Sequence, residues 1–169
     1  MERNKNSTGF NFILHCDLSQ TPFYIYDNYN ISQMNEYIVV GDIGSTKSSW
    51  WVSGDKSKEI RLGGFNPLVH PYEVGTIMLT SLSKEIQGIS PDRIWYYGAG
   101  VVDDQVAQAV KNLLHQMFPT SKVNVHSDLA GAALATCGKE AGTVAILGTG
   151  SHAAVFDGKS IIRQANALG

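Results

Sequence analysis

The chain has 169 residues, 43% of them hydrophobic and 17% charged, with a formal net charge of -2, enough for one domain with a sizeable core. That balance offers no basic field and argues against nucleic acid as a partner. Cys16 and Cys137 form no C-x-x-C pair and the five histidines lack metal-ligand spacing, so a structural metal or a disulfide framework is not expected.

Residues 1–36 are rich in Asn, Gln, Ser and Asp, and Phe23-Tyr24-Ile25-Tyr26 has no regular partner segment nearby, which reads as an N-terminal extension. Its apolar cluster, Phe12 to Leu14, is too short for a signal sequence or a membrane span. A soluble, cytoplasmic protein without a membrane partner is therefore expected. Met34 marks a natural start for the compact domain, read as residues 37–169.

From Tyr37 the pattern becomes regular. Tyr37–Asp42 and Ser48–Ser53 read as strands joined at Gly44, and Glu59–Leu62 as a third strand after a Gly54-Asp55 turn. Gly63-Gly64-Phe65-Asn66-Pro67 is a loop. Tyr72–Ile86 carries Val74, Ile77, Met78, Leu82 and Ile86 at helical spacing. A strand over Arg93–Tyr97 ends in Gly98-Ala99-Gly100, and Asp103–Met117 is a second helix with Val106, Val110, Leu113, Leu114 and Met117 on one face. Lys122–His126 is a strand, Asp128–Cys137 a small-residue helix, and Thr143–Leu147 and His152–Phe156 a strand pair. Asp157-Gly158 is a type I′ hairpin signal before a last strand near Ser160–Arg163. The order gives an α/β fold, a mixed sheet with flanking helices, and no internal repeat.

Three glycine-rich turns follow strands: at Gly44, at Gly98 to Gly100 and at Gly148 to Gly150. In open α/β sheets, loops beyond the carboxyl ends of strands can converge on one cleft. Around Gly44, Asp42 precedes Ser45, Thr46 and Lys47, so a metal-binding acid, a bend rich in backbone N–H groups and a cation lie close together. Those parts suit a metal-chelated polyphosphate. Gly148-Thr149-Gly150-Ser151-His152-Ala153 fits G-x-G-x-x-A, but a strand rather than a helix should follow it, so a dinucleotide site is rejected. Gly158-Lys159-Ser160 lacks the first glycine of a P-loop. Asp128 is either part of a helix cap or a carboxylate able to take a proton from a substrate hydroxyl. Asn66 suits a sugar hydroxyl pair or the turn before Pro67. Trp50, Trp51 and Trp95 read as core or sheet-face residues, and the histidines as structural or surface groups.

Together these segments resemble the sugar kinase, actin and heat-shock-chaperone ATPase superfamily, within it the N-acetylglucosamine kinase and BadF/BadG-type branch. Gly41-Asp42-Ile43-Gly44-Ser45-Thr46-Lys47 resembles the first phosphate motif, with Ile43 departing from its usual glycine. Ser127 to Ala132 resembles the segment with the catalytic aspartate, Leu147 to Ser151 the second phosphate motif, and Gly64 to Pro67 the sugar loop. The resemblance implies a ribonuclease H-like sheet forming one lobe of a two-lobed kinase. It further implies transfer of the γ-phosphoryl group of ATP to a hexosamine, either N-acetylglucosamine or glucosamine, with Mg²⁺. In that scheme Asp128 is the base and Asp42 positions the metal. Gly44, Ser45, Thr46, Lys47, Gly148, Thr149 and Gly150 hold phosphate. Asn66, Gly100 and Ser151 face the sugar. The family continues into a second lobe past the equivalent of Gly169, so weak ATP binding and no sugar turnover are expected of these residues alone. Homodimer formation stays open, as do a regulatory ATP-binding module and an ATPase activator of a radical dehydratase. A nicotinamide-dependent oxidoreductase is a more distant alternative.

Overall fold

A computed structural model describes residues 12–15 (backbone), 36–53, 57–147 and 151–165. The 54–56 turn and most of the extension read for 1–36 lie outside the described residues. Within that extension, β1 (Phe12–His15) is a strand. The remaining strands are β2 (Ile38–Ile43), β3 (Lys47–Val52), β4 (Lys58–Gly63), β5 (Arg93–Gly98), β6 (Lys122–Ser127), β7 (Gly142–Leu147), β8 (Ser151–Phe156) and β9 (Ile161–Gln164). The helices are α1 (Tyr72–Glu85), α2 (Asp104–Met117) and α3 (Asp128–Cys137).

Five strands form a mixed sheet in the order β4-β3-β2-β5-β6. β2, β3 and β4 pair antiparallel as a meander, whereas β5 and β6 lie parallel to β2 after the α1 and α2 crossovers. The meander's apolar residues alternate along the strands, and Val39, Ile43, Trp50, Val52 and Ile60 face α1 and α2. There they pack with Met78, Leu79, Leu82, Val110 and Leu114. The buried stripe of α1 is Gly75, Met78, Leu79 and Leu82. Ile77, expected on that stripe, is 67% exposed because it lies one residue off it, about 100° around the helix.

The strands after α3 do not extend this sheet. They build a second one, in the order β1-β7-β8-β9, with β1 parallel to β7 and the other pairs antiparallel. β7-β8-β9 therefore repeats the meander of β2-β3-β4, each with a parallel strand beside its first member. What recurs is the course of the backbone alone, and the side chains on it differ, so no sequence repeat accompanies it. α3 packs on both sheets. Leu129, Ala132 and Ala133 bury against Val144, Ala154 and Phe156, while Leu134 also reaches the cluster of Ile38, Val40 and Tyr97. A Cβ on Gly131 would lie 2.9 Å from three atoms of Tyr97, so glycine is what lets the helix press this close.

The expected type I′ hairpin is not formed. Phe156 pairs with Ile161 across a four-residue loop, 157–160, in which Asp157 Oδ1 accepts from the N–H groups of Lys159 and Ser160. The aspartate side chain organises its own turn in place of two left-handed residues. Among the described residues no helix is long and apolar enough to cross a membrane.

Candidate active site

The carboxyl ends of β2, β5 and β6 lie side by side, with Asp42 opposite Tyr97 and Gly98 opposite Ser127. This register brings three loops together. The Gly44 N–H donates to the Lys47 carbonyl at 2.9 Å and closes the turn after β2. The Gly44 carbonyl accepts from Phe65 N–H at 3.0 Å, and the Ile43 carbonyl from Ala99 N–H at 2.8 Å, tying the turn to the β4–α1 and β5–α2 loops. Gly64 lies flat beneath the turn, where a Cβ would stand 2.5 Å from the Lys47 nitrogen and 2.6 Å from the Thr46 nitrogen. Thr46 and Lys47 themselves face solvent.

Asn66 joins the loops through its side chain. Its Nδ2 donates to Ser45 Oγ at 3.1 Å, and its Oδ1 accepts from Leu68 N–H at 3.0 Å. Gly100, at φ +77°, passes so close to Asn66 that a Cβ there would collide with Oδ1. His70 fixes the same residue from behind, with Nδ1 accepting from Asn66 N–H at 3.2 Å. Both ends of the Asn66 amide are thus engaged within the loops, as the turn reading expects.

Ser127 caps α3, its Oγ accepting from Ala130 N–H at 3.2 Å. Asp128 is the first helical residue, with Oδ1 accepting from Leu129 N–H at 2.7 Å. Because Ser127 serves as the N-cap, that duty does not fall on Asp128. Burial pushes its carboxyl above the ordinary range, opposed by the Leu129 N–H and by His152. Burial, reinforced by Asp128 and opposed by Lys47, pushes Asp42 up to about 7. Asp42 and Asp128 are two partly buried carboxyls, and Asp128 is near enough to raise the proton affinity of Asp42. Among the described residues no cluster of three or more His, Cys, Asp or Glu could hold a metal alone. A single carboxylate such as Asp42 would suit Mg²⁺, which takes one or two carboxylates and completes its shell with water and substrate phosphate.

Asp42, Gly44, Ser45, Thr46, Lys47, Asn66, Gly100 and Asp128 are therefore gathered at one end of the first sheet. Ser151 heads β8 in the second sheet, while Gly148, Thr149 and Gly150 lie outside the described residues. That a strand follows them bears out rejection of the dinucleotide motif. Sequence reasoning missed His152, because a lone histidine in a strand carries no spacing signal. His126, by contrast, stacks on Trp95 and Tyr97 as a structural group.

The mixed sheet and its crossovers give this chain the fold of the sugar kinase and actin-type ATPase superfamily. Among solved structures it is similar to a provisionally named N-acetylglucosamine kinase from Porphyromonas gingivalis, at 33% identity and a TM-score of 0.72 over 78% of this chain and 48% of that one. Two further likenesses show the fold alone. MreB5 of Spiroplasma citri bound to ADP is 12% identical, with a TM-score of 0.61 over 79% of this chain and 52% of its own. The ROK hexokinase of Thermus thermophilus is 20% identical, with a TM-score of 0.54 over 75% and 48%. The chain spans about half the length of these structures. No protein-family model and no curated protein matches it.

Proposed function

We propose that this chain supplies the phosphate-gripping and base-bearing part of an ATP-dependent hexosamine kinase of the N-acetylglucosamine kinase type. The observation that carries the reading is the meeting of Asp42, the Gly44–Lys47 turn, Asn66 and Asp128 at one end of the first sheet, in a chain that over 78% of its length is 33% identical to the P. gingivalis protein. Asp42 would hold Mg²⁺, which when bound shields charge on the β- and γ-phosphates. The Gly44–Lys47 turn presents backbone N–H groups and a cationic side chain to the phosphates. Asn66, held by Ser45 and Leu68, orients the sugar.

Asp128 takes the proton of the attacking hydroxyl. As that oxygen bonds to the γ-phosphorus, the bond from phosphorus to the β,γ-bridging oxygen breaks and ADP leaves with its electron pair. A carboxyl held above its ordinary pKa is a stronger base, and positioning supplies much of the remaining acceleration. The cellular setting proposed is the cytoplasm, and hexosamine the small-molecule partner.

Thermal-shift and calorimetric titration with ATP plus Mg²⁺ test the grip, with Asp42→Ala as control. Stabilisation that needs both Mg²⁺ and Asp42 is expected, and its absence would count against the site. A coupled ADP assay with glucosamine and N-acetylglucosamine then tests transfer, where the 169 residues alone are expected to bind ATP weakly and not to turn over sugar, and robust phosphorylation would refute that expectation.

A further inference from the structure

The second sheet delivers one titratable side chain toward Asp128. Side chains alternate along β8, so His152, Ala154 and Phe156 share a face. Ala154 and Phe156 are buried on that face against Leu129, Ala132 and Ala133 of α3. The direction of α3 along β8 is fixed at its far end, where Gly158, just beyond Phe156, lies against the backbone of Lys139 and Glu140, just beyond Cys137. The end of β8 therefore runs with the end of α3, and the start of β8 with its start. That leaves His152 beside Asp128.

We propose that His152 is a positioning residue for Asp128, its imidazole orienting the carboxylate from the second sheet while the Leu129 N–H holds Oδ1 from the first turn of α3. This rests on the reading of Asp128 as the base. The imidazole is near enough to favour the ionised carboxyl. The other titratable groups acting around Asp128 are Asp42 from β2 and Tyr96 from β5, with Lys47 of β3 acting on Asp42. His126 of β6 lies two residues before Asp128, stacked on Trp95 and Tyr97. α3 itself carries no further charged residue. Asp128 is thus held from two sides, by the first turn of its own helix and by β8 of the second sheet, so a shift of β8 against α3 would re-aim it.

The test reads the contact in both directions at one fixed pH. In the histidine-labelled chain, Asp128→Asn is expected to displace the His152 ring ¹⁵N resonances and to leave those of His70 and His126 in place. Asp103→Asn, at the cap of α2, should leave His152 unchanged. Conversely, His152→Gln should displace the Asp128 carboxyl ¹³C resonance, which keeps the test open if Asp128→Asn does not fold. If neither resonance moves, the positioning role is overturned whatever the activity. Where ADP formation is measurable, His152→Gln should lower kcat about tenfold with KM for ATP unchanged, the scale for losing an outer-shell partner. Unimpaired turnover in Asp128→Asn, with the resonances still coupled, would sink the base reading and not the contact.

Discussion

Gly63 and Gly64 are neighbours in sequence that should respond oppositely to the same added methyl group. At Gly64 an alanine Cβ would stand 2.5 and 2.6 Å from two backbone nitrogens of the phosphate turn, and it would also meet the Gly44 carbonyl. Backbone atoms cannot rotate away, so either the loop recoils or the turn opens. Overpacking of this kind costs about 1–3 kcal/mol. Recoil would also break the Phe65-to-Gly44 hydrogen bond, worth roughly 0.5–1.5 kcal/mol. The sum, roughly 2–4 kcal/mol, corresponds to a fall in Tm on the order of 10 °C for a chain of this size. At Gly63 a Cβ meets nothing within 4 Å, and a change within about 0.5 kcal/mol is expected. Both substitutions restrict the unfolded chain alike, so their difference isolates the contact. Thermal melts by circular dichroism measure it, and Mg²⁺-ATP titration should show weakened binding in Gly64→Ala alone. Equal melting of the two variants would refute the reasoning.

Asp42→Asn should alter the pH dependence of stability. The native carboxyl titrates near 7 against an ordinary 3.8, so between those values the folded state binds more protons than the unfolded and stability falls as pH rises. The variant should melt above wild type at about pH 8, by at most about 4 kcal/mol, and converge with it below about pH 4; parallel melting curves would contradict this. Gly100→Ala forces an unfavourable left-handed backbone, about 1–2 kcal/mol, and displaces Asn66. Calorimetry should record weakened hexosamine binding with Mg²⁺-ATP binding kept, and unchanged sugar affinity would disprove it. The Tyr96 hydroxyl is buried with no hydrogen-bond partner among the described residues. Tyr96→Phe should therefore be neutral or stabilising in urea unfolding, whereas a loss of about 1 kcal/mol would mean a partner exists.

Much of the fold was legible because its elements are short and cleanly periodic. Every strand and helix from Tyr37 onward lies within a residue or two of its expected place, and Ser127 and Asp103 cap the helices they precede. The phosphate turn could be read because its chemistry is local: Asp42 through Lys47 are contiguous. Asn66 and Gly100 could be suspected but not joined, since their contact depends on the parallel pairing of β2 with β5. His152 was invisible because its relation to Asp128 runs through the packing of α3 on a different sheet. Ile77 misled because an apolar residue one position off a stripe still fits a loose helical count.

By itself the sequence determined the α/β order, the strand-end carboxylates and the glycine turns, all consequences of local conformational preference and hydrophobic period. It did not determine that the last strands leave the first sheet and repeat its meander in a second. That depends on which edge each strand finds, a long-range choice governed by burial on both sides of α3. The tertiary structure also set the proton affinity of Asp42. A carboxylate that is ordinary in the unfolded chain becomes a near-neutral acid once desolvated beside Asp128.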